Sequence, residues 1–135
     1  MKDVKFAGYE CTVQLGNYNN NRSSLTLIDK ATGDEVAVAS VHIPEVRVAS
    51  DEVLIKDYSE NEGMLNALRD AGVVTHTIRE VESGFINIPL VKMSDEMMTL
   101  KRQRNIEIAN DYFKKFEKGI SNKDKDKKKN KDIDR

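Results

Sequence analysis

One cysteine, two histidines and a cluster of acidic side chains are the residues of this sequence that could do chemistry. Nucleophilic catalysis would pair Cys11, or a serine, with His42 or His76 and orient the base through a third group. No spacing in the sequence makes that pairing. Cys11 alternates with Val13 and Leu15, the setting of a small core hydrophobe. His42 follows Val38 and Ser40 on one strand face, and His76 sits between two threonines. A reactive cysteine needs an activating neighbour, so no catalytic residue is assigned. A hydrolase built around Cys11 is retained only as a third reading, without a substrate.

Asp51, Glu52, Asp57, Glu60 and Glu62 gather within a dozen residues and offer oxygen ligands of the kind a divalent ion accepts. Their spacing lacks the Asp-x-Asp-x-Asp loop with its glycine, and Glu62 reads as a helix-capping residue, so no metal site is assigned. The seven glycines stand singly, in neither of the phosphate-cradling patterns, which removes support for nucleotide binding and for a cofactor. The lysines from Lys123 to Lys131 could meet phosphates without reading sequence. Interleaved aspartates nearly halve that charge, and no aromatic is present for base stacking.

The elements that would position these residues begin as strands. Val4 and Phe6, then Cys11, Val13 and Leu15, alternate with an interruption at Gly8 and predict one strand that bends or bulges. The run from Asn17 to Arg22 is a turn by composition, a second strand covers 25–28, and Ala31-Thr-Gly-Asp34 turns again. A third strand from Glu35 to Ile43 is apolar on both faces and is expected at the centre of an antiparallel meander. Val53-Leu-Ile55 is a short buried strand. Ser59 and Glu62 form the pattern of a capping box for a helix carrying Met64, Leu65, Leu68 and Ala71, which Gly72 ends in a left-handed conformation. Val73 to Ile78 and Phe85 to Ile88 read as strands, with Pro89 limiting the second to an edge or a strand end.

Ser94 caps the longest periodic segment, a helix of about 24 residues that would run roughly 36 Å and end near Gly119. Ile106, Ala109, Phe113, Phe116 and Ile120 recur at three- and four-residue steps, widened by Ile108 and Tyr112, whereas residues 101–104 form a polar block. The stripe is expected to bury against the protein's own sheet; a helix from a partner or from a second copy is the alternative. The segment from Ser121 onward, with one apolar residue, is expected to be disordered.

The chain of 135 residues is 39% hydrophobic and 33% charged, with no tryptophan, enough for one modest core. Its net charge of −1 has neither the basic excess of a nucleic-acid binder nor the acidic excess of a DNA mimic. That average hides a split: residues 121–135 carry seven basic and four acidic side chains, leaving 15 basic and 19 acidic in 1–120. Neither a signal peptide nor a run of about 18 apolar residues is found, so a cytoplasmic protein with no membrane contact is expected.

Gly16-Asn-Tyr18 with Asn21-Arg22, Ile55-Lys-Asp-Tyr-Ser-Glu-Asn-Glu-Gly-Met-Leu65, and Ser83-Gly-Phe85 with Pro89 together resemble a family of small proteins carried by conjugative elements, plasmids and phages of gut bacteria, the DUF4313 group of unknown function. The resemblance spans about residues 4–92 and implies a cytoplasmic accessory protein of a mobile element. It carries over no catalytic residue.

The expected fold is α+β: an antiparallel sheet of about five strands, one short helix, and one long C-terminal helix packed partly on the sheet. A compact domain would cover 1–92, the long helix 93–119 and a disordered basic tail 120–135. The expected function is non-enzymatic: binding and inhibition of a host defence nuclease, possible targets including a CRISPR-type complex, in the manner of an anti-CRISPR protein. Tyr18, Arg22, Asp57, Tyr58, Glu60 and Asn61 are the candidate partner-binding residues. The alternative is a DNA-binding accessory protein of conjugative transfer or plasmid maintenance, using Lys101, Arg102 and Arg104 with Lys127, Lys128 and Lys129. Either reading allows a monomer or a homodimer.

Overall fold

A computed structural model describes residues 3–19 and 21–124. The strands are β1 (Asp3–Phe6), β2 (Tyr9–Asn17), β3 (Ser23–Asp29), β4 (Glu35–Val38), β5 (Glu52–Leu54), β6 (Val74–Ser83) and β7 (Ile86–Met93); the helices are α1 (Met64–Asp70) and α2 (Asp95–Asp124). The fold is α+β, but its strands form two antiparallel sheets, in orders β1-β2-β3-β4 and β5-β7-β6, rather than one of about five.

The first sheet is a meander of hairpins. What reads in sequence as one strand bent at Gly8 is two strands joined by a two-residue turn, with Phe6 opposite Tyr9 and Val4 opposite Cys11. Ala7 and Gly8 both take positive φ, 51° and 84°. That is the turn whose twist matches a tight hairpin. β2 pairs with β3 across the asparagine-rich turn, where Asn21 also adopts positive φ.

The third expected strand ends at Val38 instead of Ile43, and it lies at the edge of the first sheet instead of its centre. Its continuation changes sheets. The Ala39 amide still donates to the Leu25 carbonyl at 2.8 Å, but Ser40 bridges to Ile55 and the Val41 amide donates to the Leu54 carbonyl at 3.0 Å. Apolar residues on both faces therefore reflect a segment shared between two sheets.

The second sheet is centred on β7. Pro89 stands inside that central strand, contrary to the expectation of an edge or strand end. Pairing with β5 covers only Leu90 to Lys92, so the missing proline amide interrupts no bond on that side, while the Pro89 carbonyl accepts from the Ile55 amide at 3.0 Å. Phe85 belongs to the hairpin turn, not to the strand.

One core gathers Val4, Cys11, Val13, Leu25 and Leu27 with Ile55, Met64, Leu68, Val91 and Met97; a smaller cluster holds Leu54, Val81, Ile88 and Leu90. Helix α1 contributes Met64 and Leu68. Gly72 ends it as its spacing predicts: φ is 76°, its amide donates to the Arg69 carbonyl, and Val73 donates to Leu68.

The N-terminal cap differs from the capping box. Ser59 lies in a single 3₁₀ turn (Ser59–Asn61) at φ 54°, and Gly63 at φ 94° stands at the helix N-terminus without a side-chain cap of its own. Asp57 reaches across that turn instead, its Oδ1 accepting from the amides of Gly63 (3.0 Å) and Leu65 (3.1 Å). Asp57→Ala is expected to cost about 1–2 kcal/mol, in the range of a lost cap, while Ser59→Gly stays within about 0.5 kcal/mol of wild type. Urea denaturation of both variants checks this ranking.

Ser94 caps α2 as expected, accepting from the Met97 amide through Oγ at 3.2 Å. Met97 is buried in the main core and Met98 and Leu100 pack beside it. The helix runs past Gly119 to Asp124, so residues 120–124 of the expected tail are helical, and 125–135 lie outside the described residues. The aromatic stripe is not buried: Phe116 is 54% exposed, and Ile106, Tyr112 and Phe113 are more exposed still. Along the helix, the polar block 101–104 separates the core-packing turn from this stripe.

The chain divides after Leu100 into two units. The charge split is sharper at this boundary than composition suggested: residues 1–100 hold nine basic and sixteen acidic side chains, net −7, and residues 101–135 hold thirteen and seven, net +6. Among the described residues no helix is long and apolar enough to cross a membrane.

Candidate functional site

The edge position of β4 leaves a groove beside it in the first unit. Phe6, Ala7 and Tyr9 from the β1–β2 hairpin, residues 35–38 of β4, and Lys56, Glu60 and Asn61 from the loop before α1 enclose about 380 Å³. An adjoining hollow of about 300 Å³ shares Tyr9, Glu35 and Val36 and adds Asp29, Thr32 and Asp34. Three acidic side chains, Asp29, Asp34 and Glu35, thus stand around a half-exposed tyrosine. The β3–β4 turn holds them there: the Ala31 amide donates to Asp29 Oδ1 at 2.9 Å, and Gly33, at φ 80°, donates to the Asp29 carbonyl at 2.8 Å.

At the far end of the groove Lys56 Nζ meets Glu60 Oε2 at 2.5 Å and lies 5.7 Å from the centre of the Tyr58 ring. The hydrogen bond from Lys56 holds the Glu60 carboxyl below its usual range and the lysine above its own. Lys56, the only lysine lining this groove among the described residues, is therefore charge-compensated by Glu60. Asn61 is buried, and its amide donates to the Val38 carbonyl at 2.7 Å, fixing the end of β4.

The six sequence-predicted partner residues are not brought together. Glu60 and Asn61 line the groove, and Asp57 is the helix cap described above. Tyr58 packs against the cluster of Leu54, Val81, Ile88 and Leu90. Tyr18 and Arg22 line a separate cavity of about 10 Å³, room for no more than a single water. The Tyr18 hydroxyl shares a 2.8 Å hydrogen bond with Ser40 Oγ, and its ring stacks on His42 at 4.6 Å. The Arg22 guanidinium donates to the carbonyls of Ile43 (2.9 Å) and Pro44 (3.2 Å). Asp57, Tyr58, Tyr18 and Arg22 thus each join structural elements to one another while remaining partly exposed.

Four of the five residues of the acidic cluster are likewise engaged by the fold. Asp51 pairs with Lys92, Glu52 accepts from the Ala49 amide at 2.9 Å, and Asp57 and Glu60 are engaged as described. Among the described residues no group of three or more His, Cys, Asp or Glu could hold a metal ion. Cys11 is fully buried, and burial, followed by the Asp29 charge, pushes its thiol above the ordinary value. Both effects oppose the thiolate that a nucleophile requires.

Of the alternative nucleic-acid residues, Arg102 is exposed and Lys101 and Arg104 are half-buried. At about 100° per residue they spread over roughly 160° of the helix surface instead of forming one line. Lys127, Lys128 and Lys129 lie outside the described residues.

Sequence reasoning missed Tyr9, Asp34 and Glu35 as site residues. Their signal was present in the turn Ala31-Thr-Gly-Asp34 followed directly by Glu35, but the groove exists only once three separate segments meet. Comparison with protein-family models, with curated proteins and with solved structures finds no match for this chain.

Proposed function

We propose that this protein is a non-enzymatic inhibitor carried by a mobile genetic element or phage, which binds a host defence nuclease on the basic surface where that nuclease handles nucleic acid, as anti-CRISPR proteins do. The observation supporting this reading is the net charge of −7 on residues 1–100, part of it standing around the β4 groove. Nucleases hold phosphates with lysine and arginine, so an acidic protein surface competes for the same field. Charge of this kind accelerates encounter and selects partners, while a partly exposed aromatic such as Tyr9 supplies the apolar anchor that affinity needs.

Affinity capture from host lysate, followed by a cleavage assay on the captured nuclease, tests the reading. Wild-type protein is expected to retain a nuclease and block its cleavage, and Asp34→Lys with Glu35→Lys to weaken capture at least about tenfold, the loss of roughly 1.4 kcal/mol. Absence of any nuclease among captured proteins overturns the function. Capture unchanged by the double variant overturns the groove as its site.

The net charge of +6 on residues 101–135 supports a second reading, the DNA-binding accessory protein. Binding to random duplex that fades steeply as salt is raised is its expected mark. No binding at low salt eliminates it.

A further inference from the structure

We infer that α2 is a self-association helix whose seam, Ile106, Ala109, Phe113 and Phe116, packs antiparallel against the same seam of a second copy. The four positions follow steps of three, four and three residues, which places them at a and d of a heptad. Ile106, Phe113 and Phe116 are each more than half exposed, and Tyr112, 66% exposed, flanks them and stacks on Phe116 with ring centres 6.5 Å apart. A line of a and d positions of this kind fits the groove of another helix, with the exposed Tyr112 and Ile108 widening it.

The charges select a copy of the same chain as the occupant. Glu107, Asp111, Lys114 and Lys115 fall at b, c and f, away from the seam; of the flanking e and g positions Gln103, Asn105, Asn110 and Tyr112 are uncharged and Glu117 is ionised. In an antiparallel pair a second copy sets Gln103, not a like charge, beside Glu117. A foreign partner chosen by charge would call for ionised residues at those flanking positions.

Side-chain size selects the direction. With the two-fold axis at Asp111, an antiparallel pair sets Ile106 opposite Phe116 of the second copy and Ala109 opposite Phe113, a larger group facing a smaller one in all four layers. A parallel pair would stack each phenylalanine on its counterpart and leave Ala109 facing Ala109 across a gap. The seam ends toward the N-terminus at Arg102, which occupies the preceding d position. Burying the exposed parts of Ile106, Tyr112, Phe113 and Phe116 on both copies removes on the order of 1,000 Å² from water, close to the lower bound of a specific interface.

Sedimentation of the full chain is expected to show a reversible monomer–dimer equilibrium with a dissociation constant on the order of 10 µM, as an interface of that modest size allows. Phe113→Lys with Phe116→Lys, at positions already exposed, is expected to retain the circular dichroism spectrum and weaken the dimer at least about a hundredfold. For direction, Tyr112→Cys is expected to form an interchain disulfide readily, because Tyr112 faces its own counterpart only in the antiparallel pair, and Phe113→Cys to form it poorly. A wild-type chain that stays monomeric up to about 200 µM overturns the proposal, as does a dimer indifferent to the double lysine variant. Faster cross-linking of Phe113→Cys than of Tyr112→Cys overturns the antiparallel direction.

Discussion

Cys11 is expected to react with a soluble thiol reagent at least about a thousandfold more slowly in the native protein than in the urea-unfolded chain, given the few kcal/mol needed to open a core strand. The side chain is fully buried on β2, paired with Val4 of β1 and Asp29 of β3. It becomes accessible only when the β1–β2 hairpin separates from the core. Burial and the neighbouring Asp29 carboxylate also lift the thiol above its ordinary value, which reduces the thiolate fraction in whatever opening occurs. Stopped-flow or manual mixing with a chromogenic disulfide, with and without urea, measures the ratio directly. Native reaction within tenfold of the unfolded rate would return Cys11 to the list of nucleophiles and reopen the hydrolase reading.

How much of this was legible from sequence depends on whether a feature is local. Gly72 could be read because a helix end in this geometry needs a left-handed residue and the glycine sits where the apolar spacing stops. Ser94 could be read for a similar reason, since its cap involves only the next turn. The β1–β2 hairpin was obscured by Ala7, a residue that rarely takes positive φ. Its trace was the parity change from Val4 and Phe6 to Cys11 and Val13, which a two-residue turn produces as readily as the expected bulge. The capping box at Ser59 matched its pattern by residue type, but the backbone turns at Ser59 and again at Gly63, so the local pairing never forms and Asp57 supplies the acceptor.

The candidate site was less legible because its residues are adjacent only in space. Tyr18, Arg22 and Asn61 are types that serve equally at interfaces and at internal polar joints, and only the partners distinguish the two uses. Here those partners are the Ser40 hydroxyl and the backbone carbonyls of Ile43, Pro44 and Val38. The expected central position of β4 concealed the groove altogether, since a central strand has no free edge beside which one could form.

Ser40 concentrates this distinction in one side chain. Ser40→Ala is expected to lower the unfolding free energy by about 2–3 kcal/mol, the sum of an orphaned buried amide and a lost hydroxyl bond. Ser40 is buried, and its Oγ accepts from the Leu25 amide at 2.9 Å while sharing a hydrogen bond with the Tyr18 hydroxyl. Truncation leaves the Leu25 amide with no acceptor at the place where the chain passes from one sheet to the other, and an unpaired buried donor costs more than the bond contributes. Tyr18→Phe removes one hydroxyl from a half-buried ring that still stacks on His42, and is expected to cost at most about 1 kcal/mol. In the double variant, the cost is expected to fall short of the sum by about 0.5–1 kcal/mol, the coupling of groups in direct contact. Urea midpoints at unchanged m-value provide all three numbers. If Tyr18→Phe left stability untouched and abolished nuclease capture, Tyr18 would belong to the partner surface after all; a stability loss with capture intact assigns it to the joint between the sheets.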